Sequence, residues 1–182
     1  MPTAEPPDNR PEHARHEYRE ASDAEAKALA SGLRLKILRL TLDEPLTNKE
    51  IADILDMAPA SALHHVRRLV QTGFLRPEEA RRGARGAKEI PYRATGKSWY
   101  VSTPVGVHSM LDAFIDEVRK SPEHEVEMTR LGLRLSGADL SEFRERLYAL
   151  LKEMHDRPRD ADGERVSVFV AIHPDTSAPP RP

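Results

Sequence analysis

Cysteine is absent from all 182 residues, which excludes disulfides, thiolate zinc sites, iron–sulfur ligation and cysteine nucleophiles in one step. Any metal would have to be held by His, Asp and Glu. Aromatic residues are scarce at 5%, and no apolar run reaches the roughly 18 residues that a membrane helix needs, so no membrane partner is expected. The amino end, "MPTAEPPDNRPEHARHEYRE", lacks the basic start and apolar stretch of a secretory signal, and a cytoplasmic address is the expectation. No internal repeat is present.

What is there is charge, unevenly spread. The formal net charge is −2, too low for a protein coated in positive charge. Between His64 and Lys97, however, nine basic residues (Arg67, Arg68, Arg76, Arg81, Arg82, Arg85, Lys88, Arg93 and Lys97) face only Glu78, Glu79 and Glu89. A concentrated basic segment on an acidic body is the footprint of a protein that touches a polyanion with one face.

Eight of the fifteen prolines lie in the first eleven or last nine residues, where almost nothing apolar can be buried, so disordered tails are expected over 1–20 and 174–182. "SDAEAKALASGLRLKILRLTL" predicts two short helices with a break near Gly32 and possible caps at Ser22 and Asp23. In "DEPLTNKEIADILDM", Pro45 marks a turn. Thr47 and Glu50 form a capping box that opens a helix with Ile51, Ile54 and Leu55 as its buried stripe. A second helix follows at once, because Pro59 suits a first helical position and nothing breaks 60–71, although Ala58 is a poor cap. "GFLRPEE" and "KEIPYRAT" predict a hairpin with a long basic tip at "ARRGARGA", and Pro77 and Pro91 suit edge positions. Beyond Pro104, Val107, Met110, Leu111, Phe114, Ile115 and Val118 recur at helical spacing. Then come a possible strand through Leu131, Leu133 and Leu135, and a helix capped by Ser136 and Asp139 with Leu140, Phe143, Leu147, Leu150, Leu151 and Met154 on one side. A strand through Val166, Val168, Val170 and Ile172 closes the pattern.

The expected fold class is α+β, mainly α: a winged helix-turn-helix over 21–103, then a helix and a strand–helix–strand region over 104–173. On the second helix of the pair, at about 100° per residue, Ala62, Val66 and Leu69 point inward with Val70 beside them. Ala60, Ser61, His64, Arg67, Arg68 and Gln71 form the outward row, and His65 lies at the edge. Adjacent helical residues diverge, so His64 and His65 cannot chelate one ion. No Asp or Glu is placed to orient either ring as a base, and no catalytic residue or enzyme activity is expected. The outward row suits double-stranded DNA, with Arg favouring guanine and Gln adenine. Thr47, Asn48 and Lys49 at the start of the preceding helix join it, and Arg81, Arg82, Arg85 and Lys88 reach a flanking backbone or minor groove. The competing reading is a winged-helix module that docks proteins, for which a basic wing has no use.

"LRLKILRLTLDEPLTNKEIADILDMAPASALHHVRRLVQTGFL" followed by "KEIPYRAT" resembles the ArsR-type winged helix-turn-helix of bacterial transcriptional regulators over about residues 24–101. The pattern is carried by Arg34, Ile37, Glu50, Ile51, Ala52, His65, Val66, Leu69, Gly73, Phe74 and Leu75. The resemblance implies a regulator, more often a repressor, that binds two related half-sites as a homodimer. Its interface would be the first helix and the helix after the wing, here Val107, Met110, Leu111, Phe114, Ile115 and Val118. The cysteine motif of metal-sensing members is missing. A zinc-responsive variant of the family would draw on His108, Asp112, His124 and Glu127, but the His108–Asp112 spacing departs from the zinc motif and Pro122 interrupts the helix, so no metal and no cofactor is expected. The region after Val126 would support the dimer or hold a small-molecule effector.

Overall fold

The computed structural model describes residues 19–83, 87–102, 107–160 and 162–175. One compact unit spans Glu17–Glu123, and a second takes in the chain from His124 onward. The expected tails lie largely outside the described residues, as does Arg85.

The first unit opens with a short strand, β1 (Arg19–Glu20), and two helices, α1 (Asp23–Leu29) and α2 (Gly32–Leu40). Ser22 caps α1 in a full capping box with Glu25, and the chain breaks at Ser31 as the glycine after it predicts. Then come β2 (Leu46–Thr47), α3 (Asn48–Ile54), α4 (Pro59–Gln71) and β3 (Leu75–Pro77). The wing follows as β4 (Arg81–Arg82), β5 (Lys88–Glu89) and β6 (Pro91–Ala94). A 3-10 turn over Lys97–Tyr100, β7 (Val101–Ser102) and α5 (Val107–Val118) complete the unit. β6 is the centre of a three-stranded antiparallel sheet between β2 and β3, whereas β4 and β5 pair only with each other, and β1 pairs in parallel with β7. This is a winged helix-turn-helix, mainly helical with small sheets. The third strand, β2, was hidden in what the sequence marks as a turn around Pro45. Pro91 stands on the central strand rather than an edge, at its first residue, where a missing N–H costs the ladder little.

Ile37, Ile51, Ala52, Ala62, Val66, Leu69, Phe74 and Leu75 are fully or almost fully buried and form one core with Ala28, Leu29, Leu38 and Val101. One expectation fails here. Ile54 is exposed, and Ala52 takes its place in the stripe. On a helix of two turns, Ile51, Ala52 and Leu55 lie within about 100° of one another, while position 54 falls outside that arc.

In the second unit, α6 (Gly137–Asp156) forms as expected, with Ser136 accepting a hydrogen bond from the Asp139 N–H at 3.1 Å. The two flanking strands do not. No strand is assigned over 126–135 or 164–175, and Leu131 and Val168 are 68% and 70% exposed. Alternation makes a segment competent for a sheet, but a strand also needs a neighbouring strand to pair its N–H and C=O groups, and among the described residues neither segment is laddered to one.

Glu25 ties the first unit together. It is only 6% exposed and accepts hydrogen bonds from Arg19 at 2.6 and 2.8 Å and from the Ser22 N–H at 2.9 Å, with Lys97 Nζ 2.5 Å away. Lys97 in turn donates to the Thr72 carbonyl at the end of α4, at 2.6 Å. Arg19 first, then Lys97, hold the Glu25 carboxyl well below the usual carboxylate range. A carboxyl with a depressed folded-state pKa contributes stability above its unfolded pKa and loses it as pH falls through the folded one. Glu25→Gln is therefore expected to cost about 1–3 kcal/mol at neutral pH. The penalty should shrink steadily as denaturant melts are repeated at pH values below 4. A penalty independent of pH would mean that the charge at Glu25 contributes nothing.

Candidate nucleic-acid interface

The interface is built on α4 and on the way α3 presents it. Thr47 caps α3 in a reciprocal box: its hydroxyl accepts from the Glu50 N–H at 3.2 Å and its own N–H donates to Glu50 Oε2 at 2.7 Å. The turn between the helices places Asp56 at φ 50°, a left-handed conformation that Asp adopts more readily than most residues. The Met57 N–H returns to the Ala52 carbonyl at 3.0 Å. Pro59 begins α4 with no side-chain cap before it, as Ala58 dictates. Asn48 Nδ2 donates to the Pro59 carbonyl at 2.9 Å, clamping the start of α3 to the first turn of α4.

With Ala62, Val66 and Leu69 sealed against the core, the opposite face of α4 is fixed in direction. Ala60, Ser61, His64, Arg67 and Gln71 are all exposed along it. Arg68 is half-buried and turns back, its guanidinium donating to the Ala24 carbonyl at 3.4 Å. His65 sits at the edge as its helical angle predicts, half-buried, with no hydrogen-bond partner for Nδ1 among the described residues. Burial, then the Arg34 charge and then His64, lower its pKa, which favours the neutral ring. The His64 and His65 rings stand nearly perpendicular, at 80°, with centroids 5.6 Å apart. Beside the row, Val66, Arg67, Val70 and Gln71 line a shallow, mostly apolar groove with Tyr92 of β6. Apolar surface next to Arg and Gln donors is the combination that meets a thymine methyl beside a guanine or adenine edge.

At the start of α3, Thr47 is buried and its hydroxyl is committed to the cap. Lys49 is exposed, 3.6 Å from Asp53. On the wing, Arg82 and Lys88 are exposed and carry no ion pair among the described residues. Arg81 does: its Nη2 lies 2.5 and 2.7 Å from the two carboxylate oxygens of Glu50. Arg76 and Arg93 share Glu78, at 3.2 and 3.3 Å, which offsets part of the basic excess of the segment. Two residues escaped sequence reasoning as parts of this surface. Glu50 was legible as a cap but not as the partner of a wing arginine. Arg34 donates to the Ala28 and Lys27 carbonyls at 2.5 and 2.6 Å and brings a half-buried cation beside Arg68 and His65.

On α5, Val107, Met110 and Leu111 are exposed, with Phe114, Ile115 and Val118 half-buried along the same stripe. The other side packs on α2. Ala113 is buried, a Cβ at Gly32 would meet it at 3.9 Å, and Lys36 pairs with Asp116 at 2.8 Å. His108 and Asp112 belong to α5, and His124 and Glu127 to the second unit. Among the described residues, no three His, Asp or Glu side chains form a group able to hold a metal ion, and no helix is long and apolar enough to cross a membrane.

Residues 29–78 match the model of a helix-turn-helix domain family. The chain is similar to several solved structures. An ArsR-like transcriptional regulator from Rhodococcus sp. RHA1 is 16% identical, covering 74% of this chain and 91% of that one, at a TM-score of 0.36. Reduced HlyU from Vibrio cholerae is 23% identical over 50% of this chain and 84% of its own, at 0.34. The homodimeric winged helix-turn-helix DNA-binding domain of a Mycobacterium bovis protein is 27% identical over 57% and 82%, at 0.32. No curated protein matches the sequence.

Proposed function

We propose that this chain, which carries a helix-turn-helix domain of the winged form, is a sequence-specific DNA-binding transcriptional regulator of the ArsR type, a repressor acting as a homodimer on two related half-sites. The observation that carries the reading is the exposed row Ala60, Ser61, His64, Arg67 and Gln71, held in one direction by a fully buried opposite face and accompanied by the exposed wing cations Arg82 and Lys88. In this reading α4 enters the major groove, where Arg67 and Gln71 bond to base edges. Ser61 and His64 donate to phosphates or bases, while Lys49 and the wing hold the backbone. The dimer rests on the outward stripe of α5 and on the resemblance to the ArsR pattern, whose members mostly repress by occupying promoters. Burying Val107, Met110 and Leu111 against their own copies would give the two-fold arrangement that a palindromic site mirrors.

The test is selection of the purified protein against random duplexes, with binding repeated across salt concentrations. Enrichment of a two-fold symmetric motif is expected. Retention without a motif would replace the reading with non-specific binding, and no retention would favour a protein-docking winged helix. On the selected duplex, Arg67→Ala is expected to weaken binding by about 1–3 kcal/mol and to relax preference at one position of each half-site. Affinity unchanged within error would take Arg67 off the reading surface.

A further inference from the structure

The outer ribbon of the wing is not hydrogen-bonded into the three-stranded sheet below it. β4 and β5 make a hairpin of two residue pairs, Arg81 with Glu89 and Arg82 with Lys88, and neither strand joins the β2–β6–β3 sheet. An isolated two-stranded ribbon is marginal at best in water, so something must hold the tip in place. The backbone bond from the Glu78 N–H to the Pro91 carbonyl, 2.8 Å, closes only its base. Higher up, Arg81 crosses 31 residues of sequence to reach both carboxylate oxygens of Glu50.

Most exposed ion pairs contribute little, because two long side chains must be ordered to form them. Glu50 differs in that its carboxylate is already ordered. Oε2 accepts the Thr47 N–H at 2.7 Å as half of the α3 capping box, and that hydrogen bond, the largest cause, keeps the group charged to lower pH than an ordinary glutamate. Arg81 therefore docks on a fixed anion, and only one side chain has to be immobilised.

We propose that Glu50 is a positioning residue for DNA binding: by holding Arg81 with both carboxylate oxygens it fixes strand β4 of the wing against the start of α3, so that Arg82 and Lys88, rather than Arg81, meet the phosphates. The inference rests on the DNA-binding reading above for its consequence, but the latch itself is a property of the free protein. It reassigns Arg81 from a DNA contact to an internal strut.

Glu50→Gln, Arg81→Gln and the double variant test it. Glutamine also serves at the third position of a capping box, so α3 should survive, and a melt of each variant checks that it does. In the free protein, a nitrogen-15 spectrum of the Arg81 guanidinium is expected to show slowed rotation in the wild type and free rotation in Glu50→Gln. On the selected duplex each single variant should bind about three- to tenfold more weakly, and the double variant no more weakly than either, as two halves of one contact require. The double variant also keeps the net charge of the wild type. The slope of log affinity against log salt should be the same in all four proteins. A slope reduced by about 0.9 in Arg81→Gln, the signature of one lost phosphate contact, or tighter binding by Glu50→Gln, would overturn the proposal. If the wild type retains no duplex at all, the regulator reading fails, and the guanidinium spectrum still decides the latch: free rotation in the wild type would sink it.

Discussion

If the proposed homodimer is formed through α5, Met110→Glu combined with Val107→Asp is expected to leave a monomer and to weaken binding to a two-half-site operator by about a hundredfold or more, since linked engagement of two sites is worth ~10²–10⁴ over one. Both side chains are exposed on α5, Val107 at 61%, and neither belongs to the face that packs on α2 through Ala113 and the Lys36–Asp116 pair. The fold of the protomer should be unaffected. Four carboxylates facing their own copies across a two-fold axis would repel at short range in a setting stripped of water. Light scattering reads the mass, and titration of full and half operators reads the affinity. Half-site binding should be nearly unchanged while full-site binding falls to meet it. A variant that stays dimeric with full affinity would move the interface off this stripe.

Phe74→Ala is the second large effect, and it acts on stability. Phe74 is 1% exposed and sits where α4 ends. Gly73 adopts φ 72°, the Phe74 N–H returns to the Leu69 carbonyl at 2.9 Å, and its own carbonyl accepts from the Thr95 N–H at 3.0 Å. The ring belongs to the buried core, with Lys97 Nζ 5.1 Å from its centroid. Truncating it leaves a cavity and removes a cation–π contact, at a cost of about 3–5 kcal/mol. A domain of this size holds only ~5–15 kcal/mol in all. The denaturant midpoint should fall accordingly. Ile54→Ala, on a side chain the structure leaves exposed, should move it by no more than about 0.5 kcal/mol. Equal losses at the two positions would mean that the packing around Phe74 is loose.

What the sequence made legible was local. Thr47 with Glu50, Pro59 after Ala58, and the 3.6-residue recurrence of Ala62, Val66 and Leu69 each depend on neighbours within one or two turns. They placed α3, α4 and the outward row. What stayed hidden depends on distant partners. Leu46 and Thr47 become a strand only because Tyr92 and Pro91 lie alongside. Arg68 has the helical angle of a surface residue but turns to a carbonyl 44 residues away. Glu50 and Arg81 carry no mutual signal in a single sequence. The alternation through Leu131–Leu135 and Val166–Ile172 predicted strands because periodicity registers a capacity to pair and says nothing about whether a partner is present.

The strand order of the first unit has a consequence for synthesis. Both β2 and β3 bond to β6, which follows them in the chain, and β1, the first strand among the described residues, pairs with β7, the last of them. A nascent chain that has reached Glu78, where the family match ends, can form α2, α3 and α4 but leaves Leu46–Thr47 and Leu75–Pro77 without the strand that satisfies them. Until Ala94 has left the ribosome, the helix pair exists with an open, sticky edge. The strand β1 likewise has no partner to pair with until Val101 and Ser102 have been made.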